Sequence, residues 1–293
     1  MAGGFSNVRE RARAVECETM QMFCSNPRGW AVAKLDAEDV AQFRADMKES
    51  GVSPVFVHAP YLPNLAARRD GRPETGDGPH WPRRPLSDSA GTVPAKRSVE
   101  ALVTQAERCA ALGVRYLVAH VGKALGTDED KALARVAKNV DAVLAAAPES
   151  VMLLLENTAG MGSEVGYRFE QVAAIISRVK RRERVGVALD TAHAFEAGYE
   201  FRTKAGLDAA LREFDKLVGF SRLHLIHLND SKTEFGSRVD RHWHIGEGKI
   251  GREGMREIVN HPLLKNLPAV METPRESAAD DLRNLKTIRS LVA

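Results

Sequence analysis

Short apolar runs in this chain repeatedly stop on a histidine or a carboxylate. PVFVH ends at His58, YLVAH at His120 and VMLLLE at Glu156. VGVALDTAH passes through Asp190 to His193, LHLIH ends at His227, VDRH carries Asp240 and His242, and PAVME ends at Glu272. Most of the runs are β-branched or leucine-rich, as buried strands are, and helix-length gaps separate most of them. Strands joined through a helix pair in parallel, because a crossover returns the chain to the same end of the sheet. In a parallel barrel the C-terminal strand ends converge on one face, so His58 and Glu272 can meet although they are far apart in sequence. Nitrogen and oxygen ligand types at that density point to a cluster of zinc-like ions.

The remaining pattern alternates in the same way. Helices are predicted over residues 5–15, 36–50, 97–112, 127–147, 167–182, 204–218, 251–260 and 279–291. Gly51 and Gly113 follow two of them as C-terminal glycines. Strands are predicted at TMQMFCS, PVFVH, RYLVAHV, VMLLLEN, RVGVALD, SRLHLIHLND and NLPAVMET, which makes seven. A closed barrel of this type has eight. At 293 residues the chain suits a single α/β barrel domain spanning 1–293.

Residues 64–96 break the rhythm. This stretch is rich in Pro, Gly and Arg and is too long for an ordinary βα loop, which reads first as a surface insertion. Arg68, Arg69, Arg72, Arg83 and Arg84 could touch a phosphate backbone if it lay over the site, but Asp70, Glu74 and Asp77 are interleaved with them. The net charge of +3 is compatible with a phosphate-bearing substrate and establishes none. Three cysteines with no C-x-x-C pair read as reduced thiols outside any site. No signal-peptide pattern and no membrane-spanning apolar run is present, so the expected location is the cytoplasm, with no membrane partner.

Several histidines compete for the site. Strict alternation puts Leu223, Leu225 and His227 on one face of their strand and His224 with Ile226 on the other, toward the helices. His227, at the strand's C-terminal end, is then the better ligand. His244 is close enough to His242 to be its rival, while His80 and His261 lie in loop or helix-end contexts. The Asp190-x-x-His193 pair places a strand-end carboxylate beside a loop imidazole, although such an aspartate also serves as a helix cap. Asp240-x-His242 on an extended segment puts both side chains on one side. Glu156 and Glu272 close apolar strands, where an unpaired carboxylate is costly to bury and calls for a cation or hydrogen bonds. Four carboxylates carry about −4 and three divalent ions about +6, leaving a pocket near +2 that would attract a phosphodiester.

Over most of its length the sequence resembles the endonuclease IV family of apurinic/apyrimidinic endonucleases. The likeness lies in GGFSNV, QMFCSNPRGW, HAPYLPNLA, LLLENTAGMGSEVG, ALDTAHAFEAGY, HLNDSKTEFGSRVDRHWHIGEGKIG and METP. It implies a TIM (β/α)8-type barrel and three zinc ions per chain. His58, His120 and Glu156 would hold the first ion. Glu156, Asp190, His227 and Glu272 would hold the second, and His193, Asp240 and His242 the third. Glu156 and Glu272 would be the catalytic carboxylates. The implied reaction is cleavage 5′ to an abasic nucleotide in double-stranded DNA during base excision repair, leaving 3′-hydroxyl and 5′-deoxyribose phosphate ends. Arg28, Tyr61 and Leu62 occupy the positions that enter the duplex in this family, and the enzyme would act as a monomer, nucleoid-associated when on DNA.

The family normally begins with a strand of the type IGAHVS ahead of the GGF segment, and this sequence begins past it. The expectation is therefore a barrel lacking its first strand, with a start upstream of Met1 as the favoured reason, because a missing stave exposes two sheet edges. The alternative reading of the same barrel is a xylose-isomerase-like sugar isomerase or epimerase, which would use one or two ions. The set His193, Asp240 and His242 argues against it.

Overall fold

Helix boundaries fall where local chemistry places them in this computed structural model, which describes residues 4–5, 7–68 and 93–293. In chain order the elements are α1 (Val8–Ala14), β1 (Met20–Met22), α2 (Ala37–Ser50), β2 (Val55–His58), α3 (Ala95–Leu112), β3 (Tyr116–His120), α4 (Glu129–Ala146), β4 (Met152–Glu156) and α5 (Phe169–Arg178). They continue with β5 (Val185–Asp190), α6 (Thr191–Ala197), α7 (Lys204–Leu217), β6 (Leu223–His227), β7 (Asp230–Ser231), β8 (His242–Trp243), α8 (Gly251–Asn260), β9 (Ala269–Val270) and α9 (Ala278–Arg289). Asp36 caps α2 through the Asp39 amide, and Gly51 ends that helix at φ 71°, a left-handed conformation that glycine adopts without Cβ strain.

Seven strands form one parallel sheet in the order β1-β2-β3-β4-β5-β6-β9. Among the described residues no ladder joins β1 to β9, so this TIM barrel is open at the place where an eighth strand would stand. Two apolar layers hold it. Phe43, Phe169, Phe214, Leu102 and Val136 belong to the layer between helices and sheet. Phe56, Val118, Leu154, Ala188, Leu225 and Val270 fill the barrel interior. Each of these six lies two positions before a candidate ligand: His58, His120, Glu156, Asp190, His227 and Glu272. Strand alternation therefore carries those six side chains along the inward face to the C-terminal rim.

The inward face departs from strict alternation in β6. Its register with β5 shifts between Val187 and Ala188, so that Val187 pairs with Leu223 and Ala188 with Leu225. Leu223 consequently packs on the helix side. His224 is inside the barrel at the end away from the rim, 5.5 Å from the Tyr116 ring. The expected helix-facing His224 and inward-facing Leu223 are thus exchanged by a bulge that alternation cannot foresee. Gly186 makes room for the ring, since a Cβ there would lie 2.4 Å from His224 Cδ2. The helix expected to reach residue 182 stops at Arg178, and α6 had no expected counterpart.

The described start of the insertion is anchored. Asn64 accepts from the amides of Ala66 and Lys123 and donates to the Lys123 carbonyl. Arg69, Arg72, Arg83, Arg84 and His80 lie outside the described residues, as does most of the segment considered as a cover for the site. His261 pairs with Asp208 at 3.0 Å, and Cys17, Cys24 and Cys109 are free thiols. No described helix is long and apolar enough to cross a membrane.

Candidate metal centre

Six of the nine candidate ligands leave the sheet at the C-terminal strand ends, level within two pairs of strands and staggered by two residues where His58 pairs with Val118 and Glu156 with Ala188. His120 is the Cα partner of Glu156, and Asp190 is the partner of His227. Glu156 is fully buried at the centre. Its Oε2 faces His58 Nε2 at 3.0 Å and His120 Nε2 at 3.2 Å, while Oε1 faces His227 Nδ1 at 2.8 Å. Glu272 Oε2 and Asp190 Oδ2 approach the same His227 nitrogen at 3.4 and 3.8 Å.

The other three candidates come from outside the sheet. Asp190 is the N-cap of α6, its Oδ1 accepting from the His193 amide at 2.8 Å. The D-x-x-H spacing is thus a capping spacing, and the expected loop histidine stands in the first turn of a helix. The capping and ligand readings are compatible, because Oδ2 remains available to face His227 and His242. Strands β7 and β8 form an antiparallel pair that presents His242, whose Nε2 lies 3.3 Å from His193 Nε2. Asp240 Oδ1 lies 3.4 Å from His193 Nε2 and 3.8 Å from His242 Nε2.

Three groups of ligand atoms result, each within a 4.8 Å span: His58, His120, Glu156; Glu156, Asp190, His227, Glu272; and Asp190, His193, His242, with Asp240 beside the last. Glu156 and Asp190 each belong to two groups. The donor set fits metal ions on a feature of its own. His58 Nδ1 is held by the Ala59 carbonyl, His193 Nδ1 by the Asn157 carbonyl and His242 Nδ1 by the Glu272 carbonyl. A carbonyl only accepts, so each Nδ1 carries a proton and each ring aims Nε2, with a lone pair when the ring is neutral, into the cluster. Two such lone pairs 3.3 Å apart, on His193 and His242, call for a cation or a proton between them.

Charge balance points the same way. Burial opposes ionisation of Glu156, but His120 and His227 hold it well below the usual carboxylate range. Asp240 is likewise lowered against its burial by His193 and His242. Burial pushes His227 down, yet Glu272 and Glu156 overcome it and raise it to about 9. Glu156 and Asp240 therefore stay ionised despite burial and attract positive charge.

Supporting residues escaped the sequence reading. Asn157 and Asn229 bracket Asp190: Asn157 Oδ1 accepts from its amide, and Asn229 Nδ2 donates to its Oδ2 at 2.7 Å. Glu196 accepts from Ser231 Oγ, Thr233 Oγ1 and the Arg241 amide through Oε1, which ties α6 to the loop carrying Asp240. Gln21, pointing inward from β1, contacts both His227 and Glu272. Closeness to a ligand residue, as in ENT and HLND, could have signalled Asn157 and Asn229, whereas Glu196 and Gln21 neighbour no ligand in the sequence.

The residues expected to enter DNA sit on the rim. The Tyr61 amide donates to the Pro27 carbonyl, joining the loop of Arg28 to that of Tyr61. The Tyr61 ring is exposed and stands 5.7 Å from His58. Arg28 is exposed and Leu62 is half-buried.

An all-parallel barrel whose C-terminal rim carries these overlapping groups defines a metal-using TIM-barrel protein, and the xylose isomerase-like TIM barrel family matches residues 9–290. The chain is 41% identical to a probable endonuclease 4 of Methanosphaerula palustris, over 99% of this chain and 95% of the relative. The structure of endonuclease IV from Thermus thermophilus superposes with a TM-score of 0.80 at 33% identity, covering 99% of this chain and 95% of that one. A D-tagatose 3-epimerase-like protein shares the fold alone, with a TM-score of 0.63 at 15% identity over 94% of this chain and 89% of that one. The chain belongs to the endonuclease IV family and is a hydrolase of the endonuclease class.

Proposed function

We propose that this protein cuts double-stranded DNA on the 5′ side of abasic nucleotides, leaving 3′-hydroxyl and 5′-deoxyribose phosphate ends, with three zinc ions bound. The observation that carries the reading is the set of overlapping ligand groups sharing Glu156 and Asp190, in a chain of the endonuclease IV family. His58, His120 and Glu156 would hold one ion. Glu156, Asp190, His227 and Glu272 would hold a second, and His193, Asp240 and His242 a third. When bound, such ions supply Lewis-acid activation of a water and charge stabilisation at a phosphate.

The protein's own part is positioning. Glu156 and Asp190, each shared by two groups, fix the spacing of the groups, Glu272 completes the middle one, and the backbone carbonyls hold the Nδ1 protons of three histidines. Tyr61, Leu62 and Arg28 stand at the rim where an unstacked nucleotide would pass, which favours abasic sites because no base must be unpaired. Metal analysis together with incision of abasic duplex, with Glu156→Gln as control, tests the reading. About three zinc ions per chain and loss of cutting in the variant are expected. Equal cutting by both proteins would refute the site.

A further inference from the structure

Four of the five candidate histidine ligands have the nitrogen remote from the cluster held by a carbonyl oxygen. For His58, His193 and His242 that oxygen belongs to the backbone. For His227 it is the side-chain amide oxygen of Gln21, 2.9 Å from Nε2. The other end of the same amide donates to Glu272 Oε1 at 2.8 Å. The amide's orientation follows from its partners: an ionised carboxylate cannot donate, so the NH2 faces Glu272 and the oxygen faces His227. That oxygen in turn requires a proton on Nε2. Nδ1 is thereby the atom turned to the position ringed by Glu156, Asp190 and Glu272, and its lone pair would serve a cation that takes the place of the proton there.

We propose that Gln21 is a positioning residue for the second metal position: its amide selects the His227 tautomer and aims Glu272, and so determines how tightly that ion is held. The inference rests on the metal-binding reading above. Gln21 has a further reach. It projects from β1, an edge of the open sheet, to β6 and to the residue two places past β9. Its amide thus links the two sides of the opening, where no strand ladder does so among the described residues. A backbone carbonyl cannot be removed by substitution, whereas this acceptor can, which makes the tautomer control testable here and not at the other three rings.

The test is zinc competition on the loaded full-length protein with a chromophoric chelator, in wild type, Gln21→Leu and Gln21→Asn. Leucine keeps the bulk and loses both hydrogen bonds; asparagine keeps the amide but is too short to span both partners. We expect one class of ion to weaken by roughly 10- to 100-fold in Gln21→Leu, with the other classes unchanged. Gln21→Asn should show the same loss, smaller in size. Melting curves with and without zinc accompany the titration. A merely structural role would lower both curves equally and leave the affinities unmoved, and that result would overturn the proposal. Wild type that holds no tight zinc would refute the underlying metal reading, with Gln21 falling along with it. Wild type with its full complement and unaltered variants would refute Gln21 alone.

Discussion

Replacing Glu196 by glutamine should stabilise the protein in a way that grows with pH. Glu196 is fully buried, and its Oε2 has no hydrogen-bond partner while Oε1 collects three donors. Burial dominates and raises its pKa from 4.5 to about 7, against smaller opposing effects of Ser231 and His193. The folded state then keeps a proton that the unfolded chain has already released. Below about pH 4.5 both states are protonated and the carboxyl has no pH-linked effect. Between 4.5 and about 7 stability falls, at roughly 1.4 kcal/mol per pH unit, and above 7 the full penalty of about 3 kcal/mol is present. Glutamine retains the Oε1 acceptor and cannot ionise. The difference in unfolding free energy between Glu196→Gln and wild type should therefore rise from near zero at pH 4.5 to about 3 kcal/mol at pH 8. Denaturant unfolding of the chelator-treated proteins across this range measures it, and titrations common to both proteins cancel. In zinc-loaded protein the gap should shrink, because nearby positive charge favours the ionised carboxylate. A difference that stays constant with pH would refute the assignment of a burial-raised carboxyl.

His193→Ala should cost one ion per chain and lower incision on the order of 10²–10³-fold, read by metal analysis and single-turnover cutting. Tyr61→Ala should weaken binding to abasic duplex by roughly tenfold, consistent with loss of one stacking contact, while the zinc count stays unchanged. Arg28→Ala should weaken all duplexes alike and reduce the slope of log affinity against log salt by about one. Phe214→Ala removes a buried ring packed edge-on to Phe169 at 5.2 Å and should lower stability by about 3–5 kcal/mol in denaturant melts, with metal content intact.

Six of the seven strands were legible because each carries an interior apolar residue two places before a rim residue, while β1, whose inward side chain is Gln21, was legible only as an apolar run. Phe56 before His58 and Leu154 before Glu156 show the rule in the chain itself. The same rule misplaced His224, since a bulge changes which side a residue faces without leaving any mark in the apolar pattern. Helix α6 escaped for another reason. Residues 191–197 are nearly all buried, so they show no alternation of apolar and polar faces, and the capping Asp190 already had a role as a ligand.

Residue types and their order alone determined the parallel α/β architecture, the strand-end histidines and carboxylates, and the family resemblance, because each is written in local periodicity or in contiguous motifs. The grouping of the ligand atoms by distance, the dual use of Asp190, and the roles of Asn157, Asn229, Glu196 and Gln21 depend on hydrogen bonds between residues remote in sequence. Gln21 and Glu272 lie near opposite ends of the chain, and only closure of the sheet toward a barrel brings their side chains within 2.8 Å.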